Sequence, residues 1–187
     1  MRPACLYGIT KATGMMLADY YRGNHGMHVA CGILFNHESL LRGRQFLSQR
    51  VVEGLAAVKA RRIKSLQIGS LEARVDWGYA PDYTRAMQLI LEVAPAEDFI
   101  IATGETHSVR EMVEIAADLI GLDWKKVVVE NAHILQRNPM HLCGDPSRLF
   151  QVTGWRPSIG FRDMIRMMAE AALSRTKMEP GSIKRDL

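Results

Sequence analysis

Apolar runs of strand length alternate along this chain with segments of helical periodicity. A helix is predicted over residues 5–23, a strand over Met27–Phe35 and an amphipathic helix over residues 44–62. The strand is mostly apolar and is bounded by Gly26 and Asn36, which is typical of a strand buried on both faces of a parallel sheet. The alternation therefore predicts the α/β class with a largely parallel sheet.

The same alternation continues through the rest of the chain. Further strands are predicted at Ser65–Ile68, within residues 72–79, at Asp98–Ala102 and at Val127–Val129. Further helices are predicted from Pro81 to about Val93, from a capping box at Ser108–Glu111 to Ile120, from Asp145 to Gly154, and over Phe161–Ser174.

Composition narrows the class of protein. The chain has 187 residues, of which 48% are hydrophobic and 24% charged, as in an ordinary globular domain. No apolar run approaches the roughly 20 residues that span a bilayer, so no membrane association is expected. The three cysteines, Cys5, Cys31 and Cys143, are far apart and form no metal-ligand cluster. These features predict a cytoplasmic protein without a metal site.

The positive charge is concentrated in the first third of the chain. Residues 1–64 contain ten Lys and Arg but three Asp and Glu, a net charge of +7, whereas the whole chain carries +4. Aromatic residues are not interleaved with these cations and no nucleic-acid motif is present, so nucleic acid is not expected as a partner. A smaller polyanion, such as a phosphate-bearing cofactor or a sugar nucleotide, fits the charge. A solvated basic helix face at Lys59–Lys64 accounts for part of the excess.

A tyrosine and a lysine stand four residues apart in the first helix. This spacing places Tyr7 and Lys11 one turn apart on one helical face. An ammonium held near a phenol stabilises the phenolate, which suits the phenol to proton transfer. The spacing alone is weak, because it also occurs on ordinary amphipathic helices.

A glycine-rich strand-turn-helix that would hold a pyrophosphate is missing from the sequence. Gly104 and the pair Gly154-Trp155 are the nearest candidates, and both lack the spacing. A nucleotide cofactor site is therefore predicted to be incomplete in this chain.

Several strings, in unbroken order from Tyr7 to about Leu173, carry a family resemblance. They are Tyr7-x-x-x-Lys11, Gly32–Ser39 (GILFNHES), Arg42-Gly43, Asp76-Trp77-Gly78, Asp82-Tyr83, Asp98–Arg110 (DFIIATGETHSVR), Gly144-Asp145-Pro146 and Gly154-Trp155-x-Pro157. In these strings the chain resembles the extended short-chain dehydrogenase/reductases, and within them the GDP-mannose 4,6-dehydratases. GILFNHES and ATGETHSVR are the strings specific to the dehydratases.

The resemblance implies a fold and a division of the chain. The fold is the C-terminal portion of a Rossmann-like fold, with a partial parallel sheet, a small substrate-binding domain, and the N-terminal nucleotide-binding strands missing. Residues 1–64 would form the last part of the Rossmann-like domain, with the Tyr/Lys helix and the strand and helix that follow it. Residues 65–176 would form mainly the substrate-binding domain with a returning sheet strand, and residues 177–187 a flexible tail.

The resemblance also implies an activity and a set of site residues. The activity is NADP-dependent conversion of GDP-mannose to GDP-4-dehydro-6-deoxy-mannose. Tyr7 would be the base for the sugar 4-hydroxyl proton, and Lys11 would hold the nicotinamide ribose. NADP would contact Tyr7, Lys11, Leu34, Asn36, His37 and Arg42, and GDP-mannose or a related GDP-sugar would contact Asn36, Arg50, Arg74 and Arg137.

Departures from the family pattern leave other functions open. The nucleotide-binding half and the glutamate of water elimination are expected upstream of residue 1. Val75 stands where the family has arginine, Leu40-Leu41 replaces Pro-Arg, and the loop around Arg137 is shorter by about two residues. The alternatives are a related GDP-sugar reductase or epimerase, or a non-catalytic truncated homologue that acts as a binding or assembly module. Because the first sheet strands are missing, we expect a bare apolar surface and a homo-oligomer or association with a full-length homologue.

Overall fold

The computed structural model describes residues 3–134 and 141–178. Its helices are α1 Leu6–His25, α2 Leu47–Lys59, α3 Ala80–Ile90, α4 Val109–Ile120, α5 Trp124–Val127, α6 Ser147–Thr153 and α7 Phe161–Met178, with a 3-10 turn at Ala132–Ile134. Its strands are β1 Gly32–Leu34, β2 Asn36–Glu38, β3 Leu66–Ile68, β4 Arg74–Val75, β5 Trp77–Tyr79, β6 Phe99–Ile101, β7 His107–Ser108 and β8 Val128–Glu130.

Local sequence signals fix the ends of several helices. The predicted capping box is present at α4, where Ser108 Oγ accepts a hydrogen bond of 3.0 Å from the Glu111 backbone N–H. Gly121 ends α4 with a φ of 70°, a left-handed conformation that glycine adopts without a Cβ penalty. Gly26 ends α1 in the same way with a φ of 61°. The sequence therefore sets where these two helices stop.

The strands pair mostly in parallel, as the α/β class requires. Three of the pairs are parallel: β1 with β6, β2 with β5, and β3 with β8. The fourth pair, β4 with β7, is antiparallel. Strands that are distant in sequence are thus neighbours in space, with helices in the connections, which is the usual arrangement of an α/β fold.

Two apolar cores hold the helices on these strands. The helical core packs α2, α4 and α7 against one another and against β3, with Leu55, Met112 and Ile165 fully buried. The strand core packs β6 against α3 and α6, with Phe99 and Tyr83 almost fully buried. The boundary predicted at residue 64 does not separate these cores, because α2 shares one with α4 and α7. The predicted division into domains stays a prediction.

Asp76 joins three segments between the cores. Its buried carboxylate accepts hydrogen bonds from the backbone N–H groups of Thr103, Gly104 and Gly144 at 3.0, 3.1 and 3.2 Å, and from the Thr103 hydroxyl at 2.7 Å. A buried charge is tolerable when its oxygens are saturated in this way. The carboxylate thereby fixes the start of β5, the turn after β6 and the segment that leads into α6.

The run Met27–Phe35 differs from its prediction. It forms a strand over Gly32–Leu34 alone, and the side chains of Ile33 and Leu34 are exposed. The expected burial on both faces is wrong in this structure, because all three residues of β1 are exposed although the strand pairs with β6 and contacts α3. The strand is interrupted at Phe35, between β1 and β2. The Phe35 backbone N–H donates a hydrogen bond of 3.0 Å to the Ile101 carbonyl oxygen.

One predicted boundary also differs. Helix α7 runs to Met178 and so includes Lys177, which the predicted division assigns to the tail. Residues 179–187 of that tail, and the predicted site residue Arg137, lie outside the described residues. In residues 3–134 and 141–178, no helix combines the length and apolarity that crossing a bilayer needs.

Gly144 packs closely against Ala102 and Phe35, and a substitution there tests the packing around Asp76. A Cβ at this position would lie 2.3 Å from the Ala102 Cβ and 3.0 Å from the Phe35 ring. We expect Gly144→Ala to lower the free energy of unfolding by roughly 1–3 kcal/mol, because the added methyl overpacks a buried site. Urea unfolding monitored by circular dichroism measures this. Gly23→Ala is the control, since a Cβ there meets nothing within 4 Å and a helical alanine is favoured over glycine.

Candidate functional site

Tyr7 and Lys11 lie together on the first turns of α1. Lys11 Nζ is 5.2 Å from the centroid of the Tyr7 ring, and the tyrosine is 71% exposed. Cys5 caps this end of the helix, with its Sγ accepting from the Gly8 N–H at 3.4 Å. The arrangement gives the phenol a neighbouring cation and an open face, which a proton-transfer group needs. The roles of both residues stay predictions.

The opposite end of α1 is anchored to the strands. The Arg22 guanidinium pairs with the Asp98 carboxylate just before β6, and its Nε donates to the Val29 carbonyl at 2.8 Å. The same Asp98 oxygen accepts from the Cys31 N–H at 3.1 Å, just before β1. One carboxylate thus ties α1 to β1 and β6.

Leu34, Asn36 and His37 flank the break between β1 and β2. Leu34 and Asn36 are exposed, whereas His37 is half-buried. His37 Nδ1 is 2.9 Å from the Phe35 carbonyl oxygen, and its ring lies 5.0 Å from the Tyr83 ring. These contacts fix the imidazole and leave Leu34 and Asn36 open to a ligand. Contact of the three residues with a cofactor remains a prediction.

Tyr83 supports this region from within the strand core. Its ring occupies the space beside Gly78, where an added Cβ would lie 2.3 Å from the ring. Its hydroxyl is buried and has no hydrogen-bond partner in the described structure. Burial, followed by the negative charges of Asp76, Asp82 and Glu38, raises the pKa of the Tyr83 phenol. This tyrosine is therefore a neutral packing group and not a second proton-transfer phenol.

The side chain of Arg42, which is predicted to contact NADP, already contacts Glu38 and Phe46. Its Nε lies 3.1 Å from the Glu38 carboxylate, and its guanidinium stacks 3.4 Å from the Phe46 ring centroid. Glu38 is buried at the end of β2 and also accepts from the Ser48 hydroxyl at 2.6 Å. The sequence interpretation assigned Glu38 no role. Glu38 ends a strand and Arg42 follows a turn, so the i, i+4 pairing rule of helices could not have revealed this pair.

Arg50 and Arg74, two of the cations predicted for the sugar nucleotide, lie on different elements, α2 and β4. Arg74 donates to the Thr106 carbonyl at 2.6 Å and pairs with Glu111 at 3.2 Å, so its guanidinium is already engaged. Arg50 is half-buried on α2. The structure thus gives the two arginines different surroundings, and their roles stay predictions.

A cluster around His107 was not predicted as a site. The imidazole stacks in parallel on the Phe161 ring at 4.0 Å, and its Nδ1 is 2.8 Å from Glu111 Oε2. These residues line a cavity of about 540 Å³ with acidic walls, which extends to Glu114 and Asp118. Among the predicted site residues that the structure describes, none lines this cavity. Within the described part of the chain, no group of His, Cys, Asp and Glu could hold a metal ion.

Comparisons with known proteins point to one family. The family model described as GDP-mannose 4,6 dehydratase matches residues 1–168. GDP-mannose 4,6 dehydratase 1 of Arabidopsis thaliana is 33% identical over 178 residues, which cover 95% of this chain and 49% of that protein. The human GDP-mannose 4,6 dehydratase is 31% identical, with 96% of this chain and 53% of that protein covered. This chain spans about half the length of the curated relatives it matches.

Solved structures share the fold. RMD from Pseudomonas aeruginosa, complexed with NADPH, superimposes with a TM-score of 0.84 at 21% identity and covers 93% of this chain and 58% of that chain. At this level of identity the likeness concerns the fold alone. It supports the Rossmann-like fold predicted from the sequence, present here in part.

Glu38 provides a test of the buried pair. Burial is the main cause that raises the pKa of its carboxyl above the ordinary 4.5, against the opposing effects of Ser48 and Arg42. The folded state therefore retains a proton that the unfolded chain releases, so this residue lowers stability as pH rises above about 4.5. Glu38→Gln has no carboxyl at this position, so its stability lacks this contribution to the pH dependence. We expect its free energy of unfolding to rise relative to the wild type between pH 4 and 7.

Urea unfolding at several pH values measures that difference. Glu114→Gln, at an exposed position of α4, is the matched control and should show no such trend. A pH-independent difference for Glu38→Gln would contradict the raised pKa.

Proposed function

This chain belongs to the GDP-mannose 4,6-dehydratase family, and we propose that it forms the sugar-nucleotide-binding, carboxyl-terminal part of such an enzyme. The observation that carries the proposal is the match of the family model to residues 1–168. The reaction is conversion of GDP-mannose to GDP-4-dehydro-6-deoxy-mannose with NADP. The free thiols of Cys5, Cys31 and Cys143 are compatible with a reducing cytoplasm, where we place the protein.

The residues on α1 supply the proton chemistry. Tyr7, exposed beside Lys11, would act as the phenolate: its oxygen would accept the proton of the sugar 4-hydroxyl and become the neutral phenol, and the Lys11 ammonium would stabilise the phenolate before that transfer. A bound nicotinamide cofactor would supply the hydride acceptor for the sugar C4 and the hydride donor for its return. Lys11 would also donate hydrogen bonds to the nicotinamide ribose. Leu34 and Asn36, both exposed, line the junction of cofactor and sugar.

The described residues fit one end of this cofactor and not the other. The open faces of Tyr7, Lys11 and Asn36 suit the nicotinamide end. In residues 3–134 and 141–178, glycines with positive φ lie at Gly26, Gly104, Gly121 and Gly154. Three of these end helices, and none opens the strand-turn-helix that would hold a pyrophosphate. The nicotinamide end is therefore the part that this chain holds.

Cations and an amide are proposed to hold the sugar nucleotide. Asn36 offers an exposed amide beside the sugar, and Arg50, Arg74 and Arg137 offer positive charge to the diphosphate. The basic first third of the chain attracts such an anion at longer range. His37 and Arg42 remain the proposed contacts to NADP. Arg42 would have to exchange its Glu38 pairing for the cofactor.

A second candidate function rests on the state of Arg74. Its guanidinium is engaged by Thr106 and Glu111, and Val75 beside it carries no charge. If the Arg74 region is where phosphate would bind, its cation is already paired, which favours a non-catalytic module that binds to or assembles with full-length homologues. The other assembly that we propose is a homo-oligomer of this chain.

Titration calorimetry distinguishes the two functions. We expect GDP-mannose to bind the purified chain and Arg50→Gln to weaken that binding by about tenfold, as loss of one charge-assisted hydrogen bond predicts. Arg166→Gln, at an exposed position on α7, is the matched control and should bind as the wild type does. NADP is titrated separately. Binding of neither ligand would overturn the enzymatic proposal and support the non-catalytic module.

A further inference from the structure

Helix α2 is followed by an arginine in a backbone conformation that favours glycine. Arg61 has a φ of 59°, in the left-handed region, and its N–H donates to the Val58 carbonyl at 2.9 Å. The next N–H, that of Arg62, donates to the Ala57 carbonyl at 2.9 Å. These two bonds form a Schellman motif, whose left-handed position favours glycine because a Cβ is unfavourable there.

Other helices of this chain end with glycine at that position. Gly26, Gly121 and Gly154 follow α1, α4 and α6 with φ values of 61°, 70° and 68°. In the part of the chain that the structure describes, Arg61 is the only residue other than glycine with a positive φ. The side chain of Arg61 is exposed, so no packing contact explains the choice. A strained position of this kind indicates a function for the side chain.

The ends of three helices meet around Arg61. Lys59, the last residue of α2, donates from Nζ to the carbonyl of Gly121, which ends α4, at 3.2 Å. Arg62 donates to the carbonyl of Thr176, in the last turn of α7, at 2.7 Å. The carboxyl ends of α2, α4 and α7 are therefore neighbours.

Strand pairing brings further cations to the same end of the molecule. Strands β3 and β8 are parallel, with Leu66 opposite Val128. Lys64 and Lys126 each precede these positions by two residues, so they reach the same edge of the pair. The exposed cations of the helix and strand ends form a surface that we call the basic end: Lys59, Arg61, Lys64, Lys125, Lys126 and Lys177.

The charge of the basic end exceeds what the fold requires. Segments 59–64, 121–127 and 174–178 contain eight Lys and Arg and one acid, Asp123, a net charge of +7, whereas the whole chain carries +4. Cations at a helix carboxyl end offset its dipole, which amounts to about half a negative charge per helix. Three helix ends therefore account for a small part of this charge. The remainder is available to an external anion.

The side chains of the basic end suit an anionic lipid surface. Five of its six cations are lysines, whose long side chains reach past the helix-end carbonyls and act as point charges. Met178, beside Lys177, is 81% exposed and offers an apolar group to the lipid interface. Trp124 is not an open stacking platform for a base, because the Arg110 and Lys125 cations lie 5.3 and 6.0 Å from its ring centroid. These features favour a bilayer over a nucleic acid.

We propose that the basic end binds the surface of a membrane that contains anionic phospholipids. The contact is peripheral and needs no helix that spans the bilayer. Each lysine or arginine near such a surface strengthens binding by about fivefold, and six together are in the range of polybasic membrane-binding segments. The strained Arg61 adds one of these charges at the point where the helix ends meet. The proposal is independent of the proposed catalytic function.

Vesicle sedimentation of the full 187-residue chain tests this surface. We expect binding to vesicles of phosphatidylcholine with about one third phosphatidylserine, weakened by salt, and none to phosphatidylcholine alone. We expect Arg61→Gln to weaken binding by about fivefold, and Lys64→Gln with Lys126→Gln by roughly 25-fold. Arg166→Gln, at an exposed arginine in the first half of α7, is the matched control and should bind as the wild type does.

A glycine at position 61 separates the charge from the strain. We expect Arg61→Gly to bind vesicles as weakly as Arg61→Gln, and to unfold at a higher urea concentration than Arg61→Gln, because glycine relieves the left-handed conformation. Urea unfolding also checks that each variant is folded.

Several results would overturn the proposal. They are equal binding to vesicles with and without phosphatidylserine, equal effects of Arg61→Gln and Arg166→Gln, and binding to neither vesicle. A duplex DNA oligonucleotide is titrated separately. Binding to the duplex without binding to vesicles would assign the basic end to nucleic acid instead. The vesicle measurement needs no sugar nucleotide, so failure of GDP-mannose to bind would not affect it.

Discussion

The buried Asp76 carboxylate is the contact on which the arrangement of the strand ends depends. Four donors from two separate segments converge on it: the N–H and hydroxyl of Thr103, and the N–H groups of Gly104 and Gly144. Without that carboxylate, buried backbone groups would lose their partners, at a cost of about 1–3 kcal/mol each. Gly144 in turn lies against Phe35, where β1 gives way to β2. The position of the proposed nicotinamide-binding residues thus depends on a group that need not touch a ligand.

Local signals were sufficient for much of the fold. The capping box at Ser108 and the breaker Gly121 gave α4 its correct ends, because both act through contacts within a few residues. The apolar run Met27–Phe35 was wrongly expected to be buried, because the burial of a strand depends on what covers it, and sequence periodicity is silent on that. The specific strings supplied the predicted site residues, whose roles stay predictions, whereas the pairing of Arg42 with buried Glu38 required three-dimensional contacts.

The arginines show why charge alone is a limited guide to a binding site. The family resemblance implies that Arg42 contacts NADP and Arg74 the sugar nucleotide, two ligands whose phosphates attract cations. In the structure each meets a carboxylate, Glu38 and Glu111 respectively. A ligand must then compete with an existing partner, and the gain is the difference between two charge-assisted contacts. Binding by these residues would therefore depend on contacts that change when the ligand arrives.

The exposed apolar residues of α1 and the proposed proton chemistry lie on the same helix. Tyr7 lies at the edge of an apolar stripe that runs through Met16 and Tyr20, and it is exposed beside Lys11. In water, an ammonium interacts weakly with a nearby phenolate, because the high dielectric screens the charges. In a covered site the same pair interacts several times more strongly, but removal of the phenolate from water opposes that gain. Anything that covers the stripe would therefore also change the electrostatic environment of Tyr7, the proposed proton-transfer residue.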